Sequence, residues 1–465
     1  MSARADTGER ARVRGRGARA GLFLFLTLWL GYGLTVNSSN LYEFNLQQIG
    51  VEAIAERGNF YLEGSRVPEL VPRGDVFLHG GRKYAAKQPG QFMAGALAYT
   101  LLRPFGVSYV ADYPLASALV TFLTASLVTA LAGLAVFRLA RSLDPEPERL
   151  SRPLAVALAY GFATTAFPYA GIAHHDALAS GYLLLAFYLV FRVAGARGRE
   201  GRGEKLRAAG AGLLLGLTLT TSMLPALMTA VVIVYFVTLR RWRLLPLFAA
   251  GALAGLAPLL VYNAASFGNP LLMPNVAGNY SDTFFRLDAE NFLDKLRFYT
   301  RTVALYVPVF AVGAAGLLFY PRARRREQLA MLALVAVLLV YVLNIDTRGG
   351  HQYGPRYMLP LMPYAALGLL GYAFAAGGLR RRLALLLVAV AALFSAGVNL
   401  LGALHGSMYS DTAPYAAPVY LSAIARGETR DFPLAPWLAA PFVVSLAMLV
   451  YCAWAGRGES ASSSR

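Results

Sequence analysis

Two short polar segments carry many of the residues that could do chemistry. One is His174-His175-Asp176, set between two apolar blocks. The other, DTRGGHQYGPRY at 346–357, holds Asp346, Arg348, His351, Tyr353, Arg356 and Tyr357. Three of the chain's five histidines fall in these two segments. A longer polar stretch, Asn37 to Gly90, adds Glu43, Asp75, His79, Arg82, Lys83, Tyr84 and Lys87. Carboxylates can take a proton from a weak nucleophile, and imidazoles can hold a substrate or a metal. Arginine forks match phosphate oxygens, and lysine offers a point charge. Gathered in one place, such groups suit acid–base and phosphate chemistry at a water–lipid boundary.

The elements that would position them are membrane spans. The chain has 465 residues, 57% of them hydrophobic and only 15% charged, against about 25% charged in soluble domains. Apolar blocks fall near 21–36, 113–137, 153–173, 177–194, 208–221, 223–239, 244–262, 302–320, 329–345, 357–376, 383–403 and 434–455. This predicts an all-α polytopic protein with about twelve spans. The net charge of +18 is not a nucleic-acid footprint, because most of it lies in short links between blocks. That is the positive-inside pattern. With the N-terminus cytoplasmic, the links at 138–152, 197–207, 240–243, 322–326 and 380–382 all fall on the cytoplasmic side. The stretch 91–106 would reverse every later loop if it crossed, so it is expected to lie on the outer surface as an interfacial helix. The polar TTS at 220–222 and Pro225 divide 208–239 into two short spans.

This parity places both termini in the cytoplasm and the polar segments outside. Residues 1–20 form a basic tail and 456–465 a disordered one. The lone cysteine, Cys452, excludes a disulfide within the chain.

Taken singly, each polar residue has a plain structural reading. Glu43 is a solvated loop carboxylate, His174-His175-Asp176 a helix cap, Arg356 a headgroup anchor and Lys87 a turn residue. Only the joint pattern across loops points to function. A transporter would place ionisable groups near the midplane or show internal repeats. Here the spans are nearly free of charge and no repeat is visible. A third alternative, an assembly subunit, would survive loss of Glu43 and Asp176.

The layout resembles the GT-C superfamily of polyprenyl-phosphate-sugar-dependent membrane glycosyltransferases, which includes the protein O-mannosyltransferases and the aminoarabinose transferases of lipid A. The similarity lies in Glu43 just after the first span, Gly58 fifteen residues on, the Lys-Pro-like motif YAAKQPG (Tyr84 to Gly90), the pair Phe105–Gly106, and Asp176 opening a span. The segments YNAASFGNP (262–270) and GGHQYGPRYMLPLMP (349–363) are also similar. Two departures stand out: Glu43 replaces the usual aspartate without the usual Asp-Glu pair, and Gln88 stands at the first proline position. The resemblance covers roughly residues 20–375.

It implies a catalytic module over 21–376, with the long outward loop 37–112, followed by C-terminal helices over 377–455. It implies an inverting, single-displacement transfer of a sugar from a polyprenyl-phosphate donor to an acceptor at the outer face of the cytoplasmic membrane. Glu43 would be the general base and Asp176 the second carboxylate. Lys87, Arg356 and His351 would hold the donor phosphate. His174, His175, Tyr84 and Tyr353 would contact substrate. No cofactor is expected, and a divalent metal is a lesser alternative. The partners would be the lipid-linked donor and membrane lipid, with the acceptor left open.

Overall fold

The computed structural model describes residues 2–72, 74–195, 201–279, 285–349, 352–374, 378–406 and 415–462, with side chains described within 15–454. His351, Arg197 and Arg199 lie outside the described residues, as do the side chains of Arg10, Arg12 and Arg14.

The architecture is helical, as a bilayer demands of a chain that must satisfy its own backbone hydrogen bonds. Among the described residues seven helices are long and apolar enough to span: Gly15–Leu34, Tyr113–Leu143, His175–Ala194, Trp242–Phe267, Arg322–Leu343, Leu379–His405 and Ala435–Trp454. The bent pair Ala289–Tyr306 and Pro308–Phe319, broken by 102°, raises this to up to eight. Other expected blocks fold as shorter, charged or broken helices. Ser151–Ala163 gives way to Ala166–Ala170. Arg202–Thr221 opens with Arg202, Glu204, Lys205 and Arg207. Ala226–Thr238 has only 13 residues. The block after Arg356 alternates between 3-10 and α turns around Pro360 and Pro363.

Close helix packing rests on paired glycines. Helix Arg202–Thr221 presents Gly212 and Gly216 to Gly251 and Gly255 of helix Leu245–Phe267. A Cβ at Gly212 would sit 1.9 Å from the Phe248 carbonyl oxygen, and one at Gly251 would sit 2.1 Å from that of Ala209. Backbone touches backbone, which is how membrane helices gain dispersion contact when lipid tails compete for apolar surface. Gly313 and Gly316 make the same kind of approach to Gly368 and Gly371.

The segment after the first span is built as a cap on one end of the bundle. Asn37 accepts the Asn40 N–H at 3.0 Å and donates to the Ala403 carbonyl at 2.9 Å. That starts helix Ser38–Glu43 and ties it to a late helix. Helix Asn45–Arg57 follows and stops at Gly58, whose φ of 63° is left-handed. A hairpin pairs Val76–His79 with Arg82–Ala85. Its two-residue turn, Gly80-Gly81, needs φ of 56° and 78°, the pattern of a type I′ turn. The stretch 91–106 folds mainly as helix Gly90–Leu102. It lies against Asn45–Arg57, where Gly50 faces the Phe92 ring and Gly95 faces Val51.

Candidate active site

Asp176 sits in the first turn of helix His175–Ala194, under the cap segment, and is 1% exposed. His174 caps that helix: its Nδ1 accepts the Asp176 N–H at 3.1 Å. Burial pushes the His174 pKa well below its ordinary value, and the adjoining His175 ring lowers it further. The ring is therefore neutral at pH 7, with its proton on Nε2. His175 stacks on it with ring centroids 4.4 Å apart. The amide Nε2 of Gln47 lies 3.3 Å from His175 Nδ1.

This burial has a sign. An unfolded histidine takes a proton near pH 6.5, and native His174 does not. Below that pH the unfolded state binds more protons, so stability falls as pH falls. The slope contributed is up to about 1.4 kcal/mol per pH unit. Melting curves from pH 8 to 5 are expected to show this acid loss, and His174→Gln is expected to reduce it.

The two oxygens of Asp176 are held differently. Oδ1 accepts the Ser222 hydroxyl at 2.8 Å. That hydroxyl also accepts the Leu224 N–H at 3.2 Å, so its single proton is committed to the carboxylate. Oδ2 lies 3.5 Å from Arg356 Nε and has no hydrogen bond among the described residues. Arg356 is 8% exposed, and its guanidinium lies 4.7 Å from the Tyr357 ring centroid. Gly349 and Gly354, with φ of 96° and 64°, turn the chain to deliver it.

Lys87 reaches the same place from the hairpin side. Its ammonium pairs with Asp75 Oδ2 at 3.1 Å. Asp75 itself adopts φ 55°, which aspartate tolerates better than most residues. The QPG turn then presses against the end of helix Arg202–Thr221: a Cβ at Gly90 would lie 2.7 Å from Thr221 Cα. Lys87 is thereby fixed near Ser222 and Asp176. Glu43, at the end of its short helix, is exposed and accepts the Ser39 hydroxyl at 3.0 Å.

Two cavities meet at these side chains. One, of about 680 Å³, is lined largely by apolar residues such as Leu224, Leu227, Val337 and Val340, with Asp176 and Ser222 also on its wall. The other, of about 420 Å³, is polar and is lined by Glu43, Asn45, Gln47, Asp75, His174 and Gln352. Lys87, His175 and Arg356 line both. Donors and cations thus stand at the junction of an apolar compartment and a polar one.

The structure brings together Glu43, Asp176, Lys87, Arg356, His174 and His175, which the sequence scatters across four segments. It does not bring Tyr84 and Tyr353 there. Tyr84 packs its buried ring against Phe77 and Phe267. Tyr353 is fully buried, donates to the Val398 carbonyl and accepts the Tyr169 hydroxyl on its own carbonyl at 3.0 Å. Both serve packing. Sequence reasoning missed Gln47, and it read Ser222 only as part of a helix break. A hydroxyl at a tight break between two spans was the available signal.

His174, His175 and Asp176 offer ligand atoms within 4.8 Å of one another, three donors of the kind a divalent metal takes. The surroundings suit a metal poorly. His174 Nδ1 is spent on a backbone N–H, and Arg356 already sets a permanent cation against the carboxylate.

Solved structures share this helical architecture. ArnT from Cupriavidus metallidurans, solved bound to undecaprenyl phosphate, superimposes with a TM-score of 0.50 at 14% identity, covering 96% of this chain and 78% of that one. Its apo form gives 0.49 at 16% identity, with 97% and 77% covered. The archaeal oligosaccharyltransferase AglB from Archaeoglobus fulgidus gives 0.48 at 13% identity, with 84% and 56% covered. At these identities the likeness is one of fold. No family model matches the sequence, and no curated protein matches it.

Proposed function

We propose that this protein moves a sugar from a polyprenyl-phosphate-linked donor to an acceptor hydroxyl or amine, at the outer face of the cytoplasmic membrane, with both termini in the cytoplasm. The observation that carries this reading is the paired cavities with Lys87, His175 and Arg356 at their junction. A lipid-phosphate-sugar has three parts: an apolar chain, an anionic phosphate and a polar sugar. The apolar cavity suits the chain, the two cations suit the phosphate, and the polar cavity suits the sugar and the acceptor.

In this reading the leaving phosphate needs its charge stabilised rather than a proton. Arg356 and Lys87 supply positive charge in a partly water-excluded place, where it is worth more than in bulk water. No metal is assigned, because these two side chains fill that role. Asp176 holds Arg356 in place, and Ser222 holds Asp176. Glu43 lines the polar cavity, where the acceptor would enter, and acts there as general base. One nucleophile attacking without a covalent intermediate inverts the anomeric centre.

The test is binding of undecaprenyl phosphate to the purified protein. Lys87→Ala leaves the buried Asp176–Arg356 pair intact, and Arg356→Lys keeps the charge but loses the fork. Each is expected to weaken binding by about tenfold or more, the worth of a charge-assisted hydrogen bond. Wild-type affinity in both variants would contradict the assignment of the junction to phosphate.

A further inference from the structure

Helix Ala289–Tyr306 takes no part in the site described above, yet its surface is divided three ways. Lys295, Tyr299, Thr302 and Tyr306 form a buried face. At 3.6 residues per turn, Leu293, Leu296, Thr300 and Ala304 form a second face beside it, and all four are exposed. Leu293 is 51% exposed and Leu296 42%. Glu290, Arg297 and Arg301 form a third, charged face, also exposed. A helix in water would not present leucines next to its charged side without cover.

The placement of this helix says what covers it. It meets the apolar segment Pro308–Phe319 at a bend of 102°. If that segment runs along the membrane normal, Ala289–Tyr306 lies in the membrane plane. Its N-terminal half is tied to the wall of the apolar cavity. Asn291 donates to the Ile345 carbonyl at 3.3 Å, Phe285 bridges to Ile345, and both Phe285 and Ile345 line that cavity.

We propose that helix Ala289–Tyr306 is seated in the bilayer interface beside the mouth of the apolar cavity. Its leucine face enters the acyl boundary, and Arg297 and Arg301 engage the phosphates of anionic lipids. The buried apolar strip supplies the anchorage, and each arginine adds attraction to anionic headgroups. The proposal holds whether or not the chain transfers a sugar, because it needs only a multi-pass membrane protein.

Cys452 is the chain's only cysteine, which makes the test direct. In a Cys452→Ser background, Leu293→Cys, Leu296→Cys and Glu290→Cys are each labelled with a fluorophore in the full-length protein. The variants are placed in nanodiscs of phosphatidylglycerol and phosphatidylethanolamine containing spin-labelled lipid. Labels at 293 and 296 are expected to lose most of their emission to the lipid quencher, and the label at 290 little. Equal quenching at all three positions would overturn the proposal. So would no quenching at 293 and 296, whether water or a protein partner covers that face.

Discussion

Asp176→Asn is expected to destabilise the protein by about 3–5 kcal/mol, because it leaves the Arg356 guanidinium buried without its counter-charge. Both side chains are largely withdrawn from solvent, at 1% and 8% exposure, so water from the adjoining cavities replaces the lost counter-charge only in part. Activity falls with it. The double variant Asp176→Leu/Arg356→Met separates the two effects. Removing both charges with apolar groups of similar size is often close to neutral for stability. The double variant is expected to regain most of the thermal stability and none of the activity. Thermal melts of the three proteins in detergent check this. Additive losses in the double variant would mean that the two residues do not act as a pair.

Gly212→Leu is the second large effect expected. The side chain would have to pass through the Phe248 carbonyl, whose oxygen lies 1.9 Å from the position of a Cβ. Helices Arg202–Thr221 and Leu245–Phe267 must then separate, and the glycine pairs at 216 and 255 lose contact with them. The cost is expected at or above the upper end of the about 1–3 kcal/mol typical of overpacking. Helix Arg202–Thr221 also ends at Ser222, so the support under Asp176 moves with it. Gly397 is the control. It lies inside helix Leu379–His405 with nothing within 4 Å of a Cβ. Gly397→Ala is expected to be neutral or stabilising by up to about 1 kcal/mol. Membrane levels and melting temperatures of both variants measure the contrast.

How much of this was legible in the sequence follows from what kind of information each feature carries. Apolar blocks read as helices because span length and hydropathy are local properties. Gly58, placed fifteen residues after Glu43 by the resemblance, is where helix Asn45–Arg57 stops. The site was only partly so. Asp176, Arg356, Lys87 and Glu43 were singled out by charge in otherwise apolar surroundings, and the fold does gather them. Tyr84 and Tyr353 came from the motifs YAAKQPG and GGHQYGPRY of the resemblance, and the fold buries both rings in packing contacts away from the two cavities. In the strand Arg82–Ala85 the side chains alternate, and Tyr84 turns into the aromatic cluster with Phe267. Ser222 carries no charge and lies 46 residues from Asp176, so only tertiary structure pairs them. The glycine pairs were present as G-x-x-x-G at 212–216 and 251–255, but spacing within one helix does not say which helix receives it.

The most direct measurement is the lipid-linked sugar pool of cells carrying Glu43→Gln, with membrane levels of the protein checked alongside. Glu43 is exposed and outside the buried pair, so this variant is expected to reach normal levels. Loss of a general base lowers turnover by about 10²- to 10⁴-fold. The account predicts that polyprenyl-phosphate-sugar accumulates and the corresponding glycan is lost at unchanged protein levels. Unchanged glycan and an unchanged lipid-linked pool, with the protein present, would contradict it.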